Sequence, residues 1–184
     1  MSNSNKTASA ITFEEAIALT QSLLQQRSQS SIEDAEVETT VTELVATHNG
    51  ARGFFVAYLT DSRELIDSLL PVVASALKQS AAIAPELLVK NLAMSTAMEI
   101  THRRNQNPDQ AAQSAQVQQR TAALMDLLGF PYFKADAEGL WQGLTAEAGS
   151  YAAFLKRWGY DAEQKTAIFQ RLQAACPEVT AASS

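Results

Sequence analysis

The residues best suited to chemistry sit in two short stretches. Glu99-Ile100-Thr101-His102 spells Glu-x-x-His, a spacing that puts carboxylate and imidazole on one face of a helix. Ferritin-like di-metal centres need two such motifs and two further carboxylates. This chain has 2 histidines in 184 residues, and the second, His48, follows Glu43 at a spacing that faces elsewhere. Converging ligands are too few, so no metal and no cofactor is expected. The plainer role of Glu99 is an i,i+4 ion pair with Arg103.

The two histidines share a context. Each follows a threonine, each is expected to end a helix, and each has arginine and asparagine just beyond it: Asn49 and Arg52, then Arg103, Arg104 and Asn105. One reading is that imidazoles and cations suit the negative end of a helix. The other is that both ends meet, so that His48, Asn49, Arg52, Glu99, His102 and Arg103 form one polar pocket for a small anion. That second reading requires the two imidazoles to be neighbours.

A nucleophile is hard to find. Cys176 falls on the apolar side of the last expected helix, where thiols are inert. No Gly-x-Ser-x-Gly, P-loop or Gly-x-Gly-x-x-Gly run occurs. Aromatic residues offer a different kind of site. Of 13 in the chain, most fall between positions 130 and 169. Trp141, Tyr151, Phe154 and Trp158 recur at helical spacing, either as packing between helices or as the lining of a groove for a partner, since interfaces favour Trp and Tyr.

Composition narrows the class. A net charge of −6 leaves no general excess of cations for a phosphate backbone, so nucleic acid is not an expected partner. The first ten residues lack an apolar signal core, and no run approaches the ~18 apolar residues of a membrane span. The single cysteine fits a reducing compartment, and the expected location is cytoplasmic. Seven Gly and 5 Pro against many Ala, Leu and Gln favour helix.

The elements that must position these residues follow from periodicity. Residues 1–11 are polar and expected to be a flexible arm. Thr12 and Glu15 have capping-box spacing ahead of a stripe of Phe13, Ala16, Ile17, Thr20, Leu23 and Leu24. A second helix should start near Ile32, bury Val37, Val41, Leu44 and Val45, and stop at Asn49-Gly50. The run 51–60 suits strand or helix equally. It lacks a second strand to pair with and is assigned as helix, with Gly50 and Gly53 marking a bend or close contact. Asp61 and Glu64 should cap a helix whose stripe (Leu65, Ile66, Leu69, Leu70, Val73, Ala76, Leu77) keeps phase across Pro71, giving one kinked helix.

The segment Glu86–Arg104 is apolar around its whole circumference between charged ends, as expected of a buried central helix. Pro85 suits its first turn. Another helix over 109–128 should be solvated in its Gln-rich first half and pack through Val117, Leu124, Leu127 and Leu128, with Gly129 and Pro131 ending it. Short helices are expected near 137–146 and 150–158. A last one should be capped by Asp161, carry Ile168, Phe169, Leu172 and Cys176, and close at Pro177.

The expectation is an all-α chain of about seven helices around 86–104. Residues 12–176 form one helical domain, with 12–129 as main bundle and 130–176 as an aromatic-rich extension, followed by a flexible tail at 177–184. Three functions compete. The favoured one is a non-enzymatic soluble helical module that binds a protein partner or itself. The second is a binder of a small apolar or aromatic ligand between helices, suggested by the adaptable Met94 and Met98. The third is an enzyme using Glu99 and His102.

Overall fold

A computed structural model describes residues 11–181. The first ten residues of the expected 1–11 arm lie outside the described residues, and its last residue, Ile11, is not loose but packs against the core. The fold is all-α, with no strand among the described residues.

Helix α1 (Phe13–Ser28) opens on the reciprocal Thr12–Glu15 capping box. Helix α2 (Asp34–Val45) buries Val37, Val41, Leu44 and Val45 but stops sooner than the sequence suggested. Thr47 is extended and its Oγ1 accepts from the Gly50 amide at 3.1 Å. His48, Asn49 and Gly50 therefore begin α3 (His48–Thr60) and do not end α2. A threonine hydroxyl that satisfies an orphan amide outcompetes the helix-ending tendency of Asn-Gly.

The ambiguous 51–60 run is helical, and its glycines serve close contacts. A Cβ on Gly53 would lie 2.6 Å from the Ala16 Cβ and 2.7 Å from the Phe13 carbonyl oxygen. One on Gly50 would lie 2.0 Å from the Leu44 carbonyl oxygen. Phe54, Phe55 and Tyr58 then drive into the core, with Phe54 and Tyr58 stacked at 5.3 Å.

Between Thr60 and Lys78 the expectations fail in two places. Asp61 does not cap the next helix; it ends α3 and accepts from the Arg63 amide and guanidinium. The kinked helix is two helices, α4 (Leu65–Ser68) and α5 (Leu70–Lys78), with Pro71 in the first turn of the second. Proline has no amide to give the carbonyl four residues back, and its ring crowds that carbonyl. The helix restarts at Leu70, one residue before the proline, and the apolar stripe survives because Leu69 still accepts from Val73 at 2.9 Å.

Helix α6 (Ala84–Arg104) has no exposed residue from Ala84 to His102. It is not sealed on every side, however. Leu88, Val89, Leu92, Ala93 and Ala97 are buried, while Leu87, Asn91, Met94, Met98 and His102 form a half-buried strip. Its end is turned by Gln106 at φ +54°, which lets the Asn107 amide reach the His102 carbonyl at 2.9 Å.

Helix α7 (Pro108–Leu128) packs along α6. Its Gln-rich half is not uniformly wet: Gln118 is buried and Gln116 donates to the Asp61 carbonyl. Leu127, expected inside, is 42% exposed, while Arg120, Thr121 and Met125 are buried. Gly129, at φ +80°, ends α7. Pro131 does not prolong the break; it sits in the first turn of α8 (Phe130–Ala146), which bends at Phe133.

Helices α9 (Ala152–Trp158) and α10 (Ala162–Ala175) follow, the latter with the expected Asp161 cap. The segment after Pro177 is not a plain tail. Residues Glu178–Ala181 form α11, and Val179 is buried against α8 and α10. One apolar core runs without interruption from Ala16 to Val179.

Candidate functional site

The proposed polar pocket divides. His48 and Arg52 stand on the outer face of α3 beside the first turns of α6. His102 stands near the other end of α6, beside Thr60 of α3 and the start of α7. Twelve residues separate His48 from Thr60, about 18 Å at the helical rise. The imidazoles thus mark opposite ends of one surface trough, so they share no pocket. Asn49 is exposed on the first turn of α3. Glu99 and Arg103 pair with each other, and Glu99 also accepts from Gln118 at 2.9 Å, on another side of α6. The reason is the N-cap at Thr47: it makes His48 the start of a helix that runs alongside α6.

The trough is built by three elements. The exposed positions His48, Arg52, Val56 and Thr60 recur every fourth residue and form one wall. The half-buried strip of α6, from Leu87 through Met94 to His102, is the floor. Phe154, Arg157 and Trp158 of α9 overhang its upper end, and Gln110, Gln113 and Val117 of α7 flank its lower end. The upper basin measures about 560 Å³ and the lower about 480 Å³, and both are lined by Asn91 and Met94, which makes them continuous.

The aromatic candidates also divide. Tyr151 is buried, and its hydroxyl donates to Asp136 at 2.9 Å. Trp141 is half-buried against the core. These two fix α8 and α9 in place and do not line the trough. Phe154 and Trp158 do line it, with Trp158 48% exposed and stacked on Tyr160. Lys90 holds the overhang down: its ammonium lies 5.8 Å from the Tyr151 ring and 5.7 Å from the Phe154 ring, and it pairs with Glu86. Burial pushes the Asp136 carboxyl above its ordinary range, and nearby Glu86 adds to this.

Charge around the upper basin is predominantly positive. Arg52 lies over the Phe13 ring at 5.2 Å, and Arg157 and Lys90 complete the rim, against the single carboxylate of Glu86. Among the described residues, no group of three His, Cys, Asp or Glu side chains is arranged to hold a metal. Burial raises the Cys176 thiol to about 12, with a further push from Glu178, so it is protonated at neutral pH.

Sequence reasoning missed Val56 and Arg157 as trough residues. The signal for Val56 was present as the four-residue spacing 48, 52, 56, 60, which becomes visible only once His48 is read as the start of a helix.

No helix among the described residues is long and apolar enough to cross a membrane. The family model described as Uncharacterised conserved protein UCP020893 matches residues 12–175. No curated protein and no solved structure matches the chain.

Proposed function

The chain belongs to the family Uncharacterised conserved protein UCP020893, and we propose that it acts as a non-enzymatic helical interaction module whose docking surface is the trough along α6. One observation carries this reading: Val56 and Trp158, 47% and 48% exposed, project into the same trough from different helices. Covering apolar surface stabilises a complex by roughly 25 cal/mol per Å², and a clustered pair is a better anchor than two scattered ones.

The occupant is an amphipathic helix of a partner protein with acidic flanks. The floor from Leu87 to His102 spans about 22 Å, some four helical turns. Met94 and Met98 adapt to varied apolar side chains. The rim of Arg52 and Arg157 selects for carboxylates, on a chain whose overall charge is −6. The same reading places the chain in the cytoplasm, where its lone thiol needs no disulfide partner.

A synthetic helix of about 18 residues with leucines at i, i+3, i+4, i+7 and glutamates on its flanks tests this. Its addition should shift Trp158 emission to the blue and saturate, and the shift should vanish in Trp158→Phe. A lysine-flanked analogue, or the variant Arg52→Glu/Arg157→Glu, should weaken binding about tenfold, the equivalent of ~1.4 kcal/mol. Equal binding of both peptides, or of neither, refutes the reading. A dimer dispersed by Val56→Glu would assign the trough to a second copy and overturn the foreign-helix proposal.

A further inference from the structure

We propose that the cleft between α6, α7 and α10 binds a small organic monoanion, an oxyanion carried on a short apolar body, with Arg171 as its anchor. The cleft holds about 690 Å³, within the range of small-molecule sites. It lies across α6 from Met94 and Met98, so it is separate from the trough.

Most charges lining the cleft already have partners. Glu99 holds Arg103 and the Gln118 amide, and Glu163 holds Arg104. Arg171 is the exception. Among the described residues nothing pairs with it, and its Nε is shut away from solvent with no acceptor. Arg27 shows the contrast: its Nε is equally enclosed, yet its Nη2 reaches Asp34 at 2.8 Å. A guanidinium cannot shed its proton to escape burial. A buried donor without an acceptor destabilises the fold. Arg171 as a whole is half-buried, and its two Nη groups, also without an acceptor among the described residues, are the donors that a carboxylate or phosphate oxygen pair would satisfy.

The rest of the lining sets the ligand class. Ala162, Ala167, Ala174 and Ile100 give small apolar walls that leave room for a flat or short hydrocarbon body. Glu99 and Glu163 also line the cleft and would repel a second negative charge. Polyphosphates are thereby disfavoured and single oxyanions accepted. Carboxylates and phosphodiesters share this chemistry.

Benzoate, dimethyl phosphate and neutral benzamide are suitable probes, titrated against the full chain at constant ionic strength and followed by amide chemical shifts. Benzoate or dimethyl phosphate should saturate shifts on α6 and α10, and whichever binds tighter names the source of the oxyanion. Benzamide should bind at least tenfold more weakly. Arg171→Lys should keep part of the affinity and Arg171→Met should lose it. Arg171→Met should also raise the melting temperature, because, without emptying the space, it removes an enclosed Nε donor that has no acceptor among the described residues; that readout holds even if affinity is weak. Equal shifts with benzoate and benzamide, unchanged binding in Arg171→Met, or no saturable shift with any probe would each overturn the proposal.

Discussion

Arg120 shows how much one side chain can decide. It is a charged residue 4% exposed, in the middle of α7. Its Nε donates to Asp67 at 2.8 Å, and its Nη1 donates to the carbonyls of Leu59 at 3.2 Å and of Asp61. Those carbonyls end α3, where the helix dipole is negative and no further amide follows. The arginine thus closes α3 and ties it to α7 and α4. Arg120→Met keeps the stem and removes the donors. It should cost about 3 kcal/mol in urea unfolding, since buried carbonyls lose their partner. A loss under 1 kcal/mol would show that water replaces the guanidinium. Arg171 is the opposite case: it is only half-buried, and its enclosed Nε has no acceptor among the described residues.

At the scale of elements, the docking of α10 rests on polar joints as well as apolar ones. Asp161 caps α10 and also pairs with Arg104 at the end of α6. Gln164 completes the cap, and its amide donates to the Ala97 carbonyl at 3.1 Å and to Thr101 at 3.0 Å. The Arg104 guanidinium, helped by the Gln164 amide, lowers the Asp161 carboxyl from 3.8 to about 2. A carboxyl whose folded value lies below its unfolded one stabilises the fold above the unfolded value. That contribution is lost as pH falls through the folded value. The melting temperature should therefore drop more steeply between pH 4 and pH 2 in the native chain than in Asp161→Asn, which preserves the cap. Parallel curves would mean that the pair contributes nothing.

Across the whole molecule, the core is contiguous, and α8 and α10 pack directly on α6. Both tryptophans, Trp141 and Trp158, lie beyond residue 130, so their emission reports that half, while far-UV dichroism reports every helix. The two signals should give coincident urea midpoints, as expected of one cooperative unit. Separated midpoints would make 130–176 an independent subdomain.

Local chemistry was legible from residues alone. The Thr12–Glu15 box, the Asp161 cap, the Val37–Val45 row and the Gly53 contact each follow from interactions within a few residues or from side-chain size, and all are present. The helical state of 51–60 was legible only by elimination, because a run that short carries no decisive period. Competition between neighbouring signals was less legible. Thr47 against Asn49-Gly50, and Pro71 within a continuous stripe, were settled by which backbone groups found partners.

What the sequence determined by itself was the class of fold and most helix starts, because periodicity and capping are properties of adjacent residues. What only tertiary structure decided was assembly at a distance: that His48 and His102 stand at opposite ends of a trough, that Trp158 is outside while Tyr151 is inside, and that Arg120 has acceptors while Arg171 has none among the described residues. Burial and pairing depend on which helix lies alongside, and that neighbour comes from dozens of residues away in the chain.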